Sequence, residues 1–159
     1  MRMLAVLAAG AAGAVLVGGA SAPARPAHGP APEADLAYHG QVTLAAGRAV
    51  VRLVAQNHGP SPVDDATVRL RWSSRLTGRQ SLPHRCARPD AWTVLCGTGA
   101  LAADGPGAET VLRVRLEGTP SEVLLEIGTA WNSGGAVDGN HGNDRQRVLV
   151  LDTDDTYRF

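Results

Sequence analysis

The chain has 159 residues and a mass of 16.5 kDa, enough for one ordinary domain and too few for two. Hydrophobic residues make up 44% and aromatics only 4%, so a packed core is available while the rigid anchors of many interfaces are scarce. Fifteen basic residues balance fifteen acidic ones, and a neutral chain has no global attraction for nucleic acid or anionic lipid. Every basic residue is Arg, which reads mainly as codon bias in a GC-rich genome.

In chain order, Met1-Arg2-Met3 is a short positive start and Leu4 to Val17 an apolar run of Ala, Leu, Val and Gly. Small residues at Ala20, Ala22 and Ala24 suit signal peptidase, so residues 1–24 are expected to be a removable signal peptide. The run is shorter than the ~20 residues of a bilayer span. No Cys follows it for lipid attachment, no later segment is apolar enough to cross a membrane, and no wall-sorting motif closes the chain. The expected product is secreted, with no membrane association after cleavage. Residues 25–37, rich in Pro and Ala, read as a disordered tether.

From Tyr38 the apolar pattern has the period of strands. Gly40, Val42 and Leu44 alternate with polar residues, and so do Val51, Leu53 and Ala55 within Ala49–Asn57. Ala66–Ser73 sets Ala66, Val68, Leu70 and Trp72 against Thr67, Arg69, Arg71 and Ser73. Further strands are expected at Trp92–Cys96, Thr110–Glu117, Glu122–Trp131 and Arg145–Leu151, between clusters of Gly, Pro, Asn and Asp. No window carries a helical stripe. Seven short strands, each with one apolar face, predict an all-β, antiparallel, immunoglobulin-like β-sandwich over residues 38–152, followed by a tail at 153–159. Trp131 shares the expected inward face with Leu125 and Ile127, so it is expected to pack in the core.

Cys86 and Cys96 enclose a nine-residue loop, and an exported chain favours their pairing. Such a disulfide stabilises by roughly 2–3 kcal/mol. No further ligands stand nearby at zinc spacing. "VDGNHGND" (Val137–Asp144) has the composition of a calcium loop, but only Asp138 and Asn140 match the template. Gly142, Asn143 and Leu149 fall where a ligand, a Gly and a bidentate Glu belong. The stretch reads as a turn, and neither a metal nor a cofactor is expected.

Three segments, taken together, resemble one family. "NHGPSPVDDATVRLRWS" is similar to the Asn-x-Gly-Pro-Ser lead into an alternating strand; "VLCGTGALAADGPGAETVLRVRL" is similar to its Cys-x-x-Gly-x-Leu-x-x-Gly turn; "AWNSGGAVDGNHGNDRQRVLV" is similar to its Asp-x-x-x-x-Asn-Asp ending. The family is the bacterial extracellular conserved-repeat module called domain of unknown function eleven, and the resemblance spans roughly Gln41 to Asp152. It implies an immunoglobulin-like sandwich with structural or adhesive use and no catalytic residues. Members commonly occur as tandem arrays on anchored proteins, whereas one copy stands here, as in the small secreted modules of filamentous actinobacteria.

Catalytic signatures are missing: there is no Gly-x-Ser-x-Gly elbow, no His-Glu-x-x-His and no phosphate-cradling loop, so no catalytic residue is assigned. Arg69/Arg71, Arg113/Arg115 and Arg145/Arg147 each sit two apart and project from one face of their strand. If the third and seventh strands flank the sixth, Arg71 and Arg147 bracket Glu126. Trp92, Arg69, Arg71, Arg145 and Arg147 are the candidate ligand contacts. The expected role is a monomeric, non-enzymatic binding or surface-interaction module for an extracellular protein or a cell-wall glycan. The alternative is a hydrolase inhibitor presenting the loop Leu82–Trp92 around Cys86; a small secreted hydrolase comes third.

Overall fold

Alternation of β-branched or aliphatic residues with polar ones leaves each strand one face to bury, and the chain meets that demand with paired sheets. A computed structural model describes residues 31–159; the expected signal peptide and the first half of the expected tether lie outside the described residues. Twelve strands follow in order: β1 (Glu33–Ala34), β2 (Leu36–Ala45), β3 (Arg48–Asn57), β4 (Ala66–Trp72), β5 (Cys86–Ala87), β6 (Thr93–Gly97), β7 (Gly105–Pro106), β8 (Thr110–Arg115), β9 (Glu122–Asn132), β10 (Val137–Asp138), β11 (Arg145–Leu151) and β12 (Tyr157–Arg158). The seven expected strands are β2, β3, β4, β6, β8, β9 and β11. The other five are two-residue pairings too short to leave a periodic signature.

One five-stranded antiparallel sheet has the order β11-β9-β4-β6-β5. The other runs β12-β2-β3, and the far edge of β3 is shared end to end by β8 and β7. The third and seventh expected strands do flank the sixth. β1 and β10 form a separate parallel pair. Among the described residues there is no helix, and hence none long and apolar enough to cross a membrane.

The apolar faces of both sheets enter one core. Val42, Leu44, Val51, Leu53, Leu112 and Val114 come from one side; Val68, Leu70, Trp72, Val94, Leu125, Ile127 and Val150 come from the other. Burying each of these side chains contributes about 1.5–3 kcal/mol, and they are at most 3% exposed. The disulfide joins Cys86 of β5 to Cys96 directly opposite on β6. It therefore staples the long β4–β6 connection to a core strand.

Two expectations are corrected here. Trp131 is 57% exposed. The β4–β9 register pairs Thr67 with Trp131 but Val68 with Thr129, which leaves Ala130 as an extra residue. That β-bulge reverses the phase of the strand, so Trp131 joins outward Thr67 while Thr129 stays inward. The second concerns the termini. β1 and the start of β2 occupy part of the expected tether, and Ala34, Leu36 and Ala37 are each 1% exposed. The tail docks as well: β12 pairs with β2, and Phe159 exchanges both backbone hydrogen bonds with Gly40, at 3.0 and 3.1 Å. Gly40 is required there, because a Cβ would stand 2.1 Å from the Arg52 carbonyl oxygen and 2.8 Å from the Phe159 ring.

Burial of Ala34, Leu36 and Ala37 has a direct consequence. A chain beginning at Tyr38 loses the pairing partners of β10 and three buried apolar residues. It is expected to lack the cooperative thermal transition shown by the chain beginning at Ala31, as followed by circular dichroism.

Candidate functional site

The expected arginine face is the outer surface of the sheet containing β4, β9 and β11. The register sets Arg147, Glu126 and Arg71 in one cross-strand row and Arg145, Gly128 and Arg69 in the next. Arg147 Nε lies 3.4 Å from Glu126 Oε1, and Arg145 Nε lies 3.6 Å from Asp144 Oδ1. The Arg145 stem runs past Gly128, where a Cβ would be in ordinary contact with Arg145 Cγ at 3.6 Å. Two of the four guanidinium groups are thus offset locally by carboxylates.

Trp92 lies at the far side of this face, 37% exposed, with the Arg75 guanidinium 5.3 Å from its ring centroid. It shares a shallow depression of about 220 Å³ with Arg71, Ser73, Leu124 and Glu126. Its backbone N–H donates to Asp90 Oδ1 at 2.7 Å, and that bond leads the causes holding the Asp90 carboxyl below its ordinary value. The structure therefore brings Trp92 and Arg71 together and leaves Arg145 and Arg147 across the sheet.

A larger concavity lies on the other sheet. A groove of about 650 Å³ runs over β3 and β8, walled by the segment Arg79–Pro83. Val50, Val111, Leu82 and Pro83 line it, along with Arg48, Arg79, Arg113 and Arg115. Arg48 and Arg115 are directly opposite in the register. Among the described residues no carboxylate pairs with any of these four arginines. The nearby acids are engaged elsewhere, Glu109 with Arg52 at 3.1 Å and Glu117 with Arg75 at 3.4 Å.

Gln80 holds the wall in place. Its amide accepts from Arg115 N at 2.9 Å and donates to Arg115 O at 2.9 Å, as a neighbouring strand would. The outward alternation of Arg113 and Arg115 is visible in the sequence. The folding of residues 79–83 onto the edge of β8 is not, because an isolated bridge between Leu76 and Leu116 and the Gln80 amide carry it.

A third cluster gathers at the end of the molecule near β1. Asn57 is fully buried and uses its whole amide: Oδ1 accepts from Asp35 N and Gly59 N at 3.2 and 3.0 Å. Its Nδ2 donates to the carbonyls of Ser61 and Ala102 at 2.8 and 3.1 Å. Asp138 accepts from Leu36 N at 3.3 Å and Asn140 N at 3.0 Å. His141 Nδ1 is 3.3 Å from Asp144 Oδ2, and ligand atoms of Asp138, His141 and Asp144 all lie within 4.8 Å of one another. The sequence places these three within one turn but does not show the two carboxylates converging.

Compared with family models, with curated proteins and with solved structures, the chain matches none.

Tyr38 lies under this cluster, its hydroxyl 2.8 Å from Thr129 Oγ1. Burial first, then the fields of Asp144 and Asp138, push its phenol from 10.0 up to about 12, although the Thr129 bond pulls the other way. The fold therefore favours the neutral phenol, so the unfolded chain releases that proton first. The contribution is complete below about pH 10 and is lost as pH rises through about 12, amounting to roughly 3 kcal/mol. Denaturant midpoints are expected to fall across that window, and Tyr38→Phe to flatten the fall.

Proposed function

We propose that the chain is a secreted, non-enzymatic binding module whose two sheets form an immunoglobulin-like β-sandwich, and that it recognises an acidic cell-wall glycan in the groove over β3 and β8. The observation that carries this reading is the set of four arginines without acidic partners around a partly apolar floor. Guanidinium groups pair carboxylates through two parallel hydrogen bonds, and a cleft lined by one sign of charge concentrates the opposite sign. The Arg69/Arg71 face with Trp92 is a weaker candidate, because Glu126 sits among its arginines and its depression is shallow.

Secretion is supported by the leader-like start of the sequence and by the Cys86–Cys96 disulfide. Resemblance to domain of unknown function eleven rests on its three motifs, and their residues do evident structural work here. Asn57 joins three segments, Gly59 has no room for a Cβ because Ala34 Cα would be 2.5 Å away, and Asp138 and Asn143 both bond to the Asp35–Leu36 segment. The non-enzymatic reading is supported by the sequence patterns alone, which hold no recognised catalytic motif.

Binding to polygalacturonate is expected to be saturable and to weaken steeply with added salt, while chitin and cellulose bind little. Arg79→Glu with Arg113→Glu is expected to weaken it at least tenfold, and Trp92→Ala to leave it within twofold. Equal binding to charged and neutral polymers refutes the groove. Preference for polyglutamate over the polyuronate reassigns its ligand to an acidic protein.

One observation favours the inhibitor reading of Leu82–Trp92. Besides the disulfide, Arg88 pins this loop by donating to the carbonyls of Leu76, Thr77, Gly78 and Asp90. A loop held at two points resists the distortion that cleavage requires. Inhibition by this loop predicts stoichiometric loss of activity in at least one secreted serine protease and release of that inhibition by Arg88→Ala. A panel that retains full activity removes the reading.

A further inference from the structure

The loop Val137–Asp144 matches no calcium template, yet its fold assembles a different donor set. Asp138, His141 and Asp144 offer two carboxylates and one imidazole with ligand atoms within 4.8 Å of one another. Asp138 is 9% exposed and Asp144 2% exposed, so two acidic groups converge where water screens them poorly.

Their surroundings leave a vacancy in the hydrogen bonding. Both Asp138 oxygens accept backbone N–H groups, which orient that carboxylate while leaving lone pairs over. Asp144 Oδ2 faces His141, but Asp144 Oδ1 is buried and has no hydrogen-bond donor among the described residues. The nearest cation, Arg145, holds its Nε at 3.6 Å, beyond hydrogen-bonding distance, and extends into solvent. A buried carboxylate oxygen without a donor, beside a second carboxylate and an imidazole, has the needs of a metal ligand.

The donor set selects the ion. Calcium takes six to eight oxygens, whereas one nitrogen and two carboxylates suit a four-coordinate ion of the zinc type with one open position. Ligand atoms around such an ion stand about 3.4 Å apart, given bonds of about 2.0–2.2 Å. His141 Nδ1 already stands at that spacing from Asp144 Oδ2, at 3.3 Å, and no two members of the set are more than 4.8 Å apart. The open position would face the depression lined by Thr129, Trp131, Ala136 and Arg145.

We infer that Asp138, His141 and Asp144 form a binding site for one zinc-type divalent ion that fastens the β9–β11 connection over β1. This departs from the expectation of no metal and stands independently of the groove.

Chelator-treated protein titrated with zinc chloride in a calorimeter is expected to take up one equivalent and to melt several degrees higher than in EDTA. Calcium at the same concentration is expected to leave the melting temperature unchanged. Cobalt(II) is expected to quench part of the tryptophan fluorescence, a component absent in Trp131→Phe. His141→Ala, an exposed substitution that keeps the apo melting temperature, is expected to weaken zinc at least tenfold; Asp144→Asn is the second variant. Absence of zinc uptake overturns the site. So does uptake unchanged by His141→Ala, including uptake that depends instead on the neighbouring rings of His39 and His58, whose centroids are 6.3 Å apart. Calcium binding tighter than zinc also overturns it.

Discussion

The backbone of Glu33–Leu36 is hydrogen-bonded along both of its edges, and the polar end of the molecule depends on that double pairing. On one side His58 N donates to Asp35 O at 2.7 Å and Ser61 N to Glu33 O at 3.1 Å. On the other, Gly139 N donates to Ala34 O at 3.4 Å and Leu36 N to the Asp138 carboxylate at 3.3 Å. Two long connections, β3–β4 and β9–β11, are thereby tied to one four-residue strap. Asn57 adds the β6–β7 connection through Ala102. Removing such a fully used buried amide would orphan several backbone groups at once, each costing about 1–3 kcal/mol. The strap is short, but it supplies partners that the loops cannot supply for one another.

The bulge in β9 belongs to the same end. By inserting Ala130, it allows Thr129 to remain inward as the partner of Tyr38 while Trp131 turns out over the Asp138–Asp144 depression. A regular strand would instead have directed the indole toward the core beside Ile127. Bulges commonly re-aim one side chain near a site. Here the re-aimed side chain borders the convergent carboxylates, and the buried one closes the core beneath them.

These features also mark where the sequence is legible. Period-two alternation locates the seven long strands, because each must bury one face. Flanking of β9 by β4 and β11 follows the expected order, and Arg71 and Arg147 do stand opposite Glu126 in the register. The Cys86–Cys96 pairing is legible from the spacing and the leader-like start of the sequence together. The strap is not, because "PEADL" resembles a linker in composition and its role rests on backbone groups, which every residue carries. Trp131 misleads for a related reason: a bulge shifts the phase by one residue without altering the apolar pattern. The groove depends on Gln80 pairing with Arg115, a contact thirty-five residues apart along the chain that periodicity does not encode.

Charge balance hides the groove most effectively. A net charge of zero describes the whole chain, but the acids are not spread evenly over the arginines. Asp65 pairs with Arg85, Glu109 with Arg52, Glu117 with Arg75, Glu126 with Arg147 and Asp144 with Arg145. What remains on β3, β8 and the Arg79 wall is a concave surface of one sign. Arg48 facing Arg115 across the strands costs the sheet a few tenths of a kcal/mol that an acidic residue at either position would recover. Gln80 already blunts this edge of the sheet, so four unpaired guanidinium groups are more than its protection needs. The four guanidinium groups therefore carry a local cost to folding for which the sheet itself receives no return.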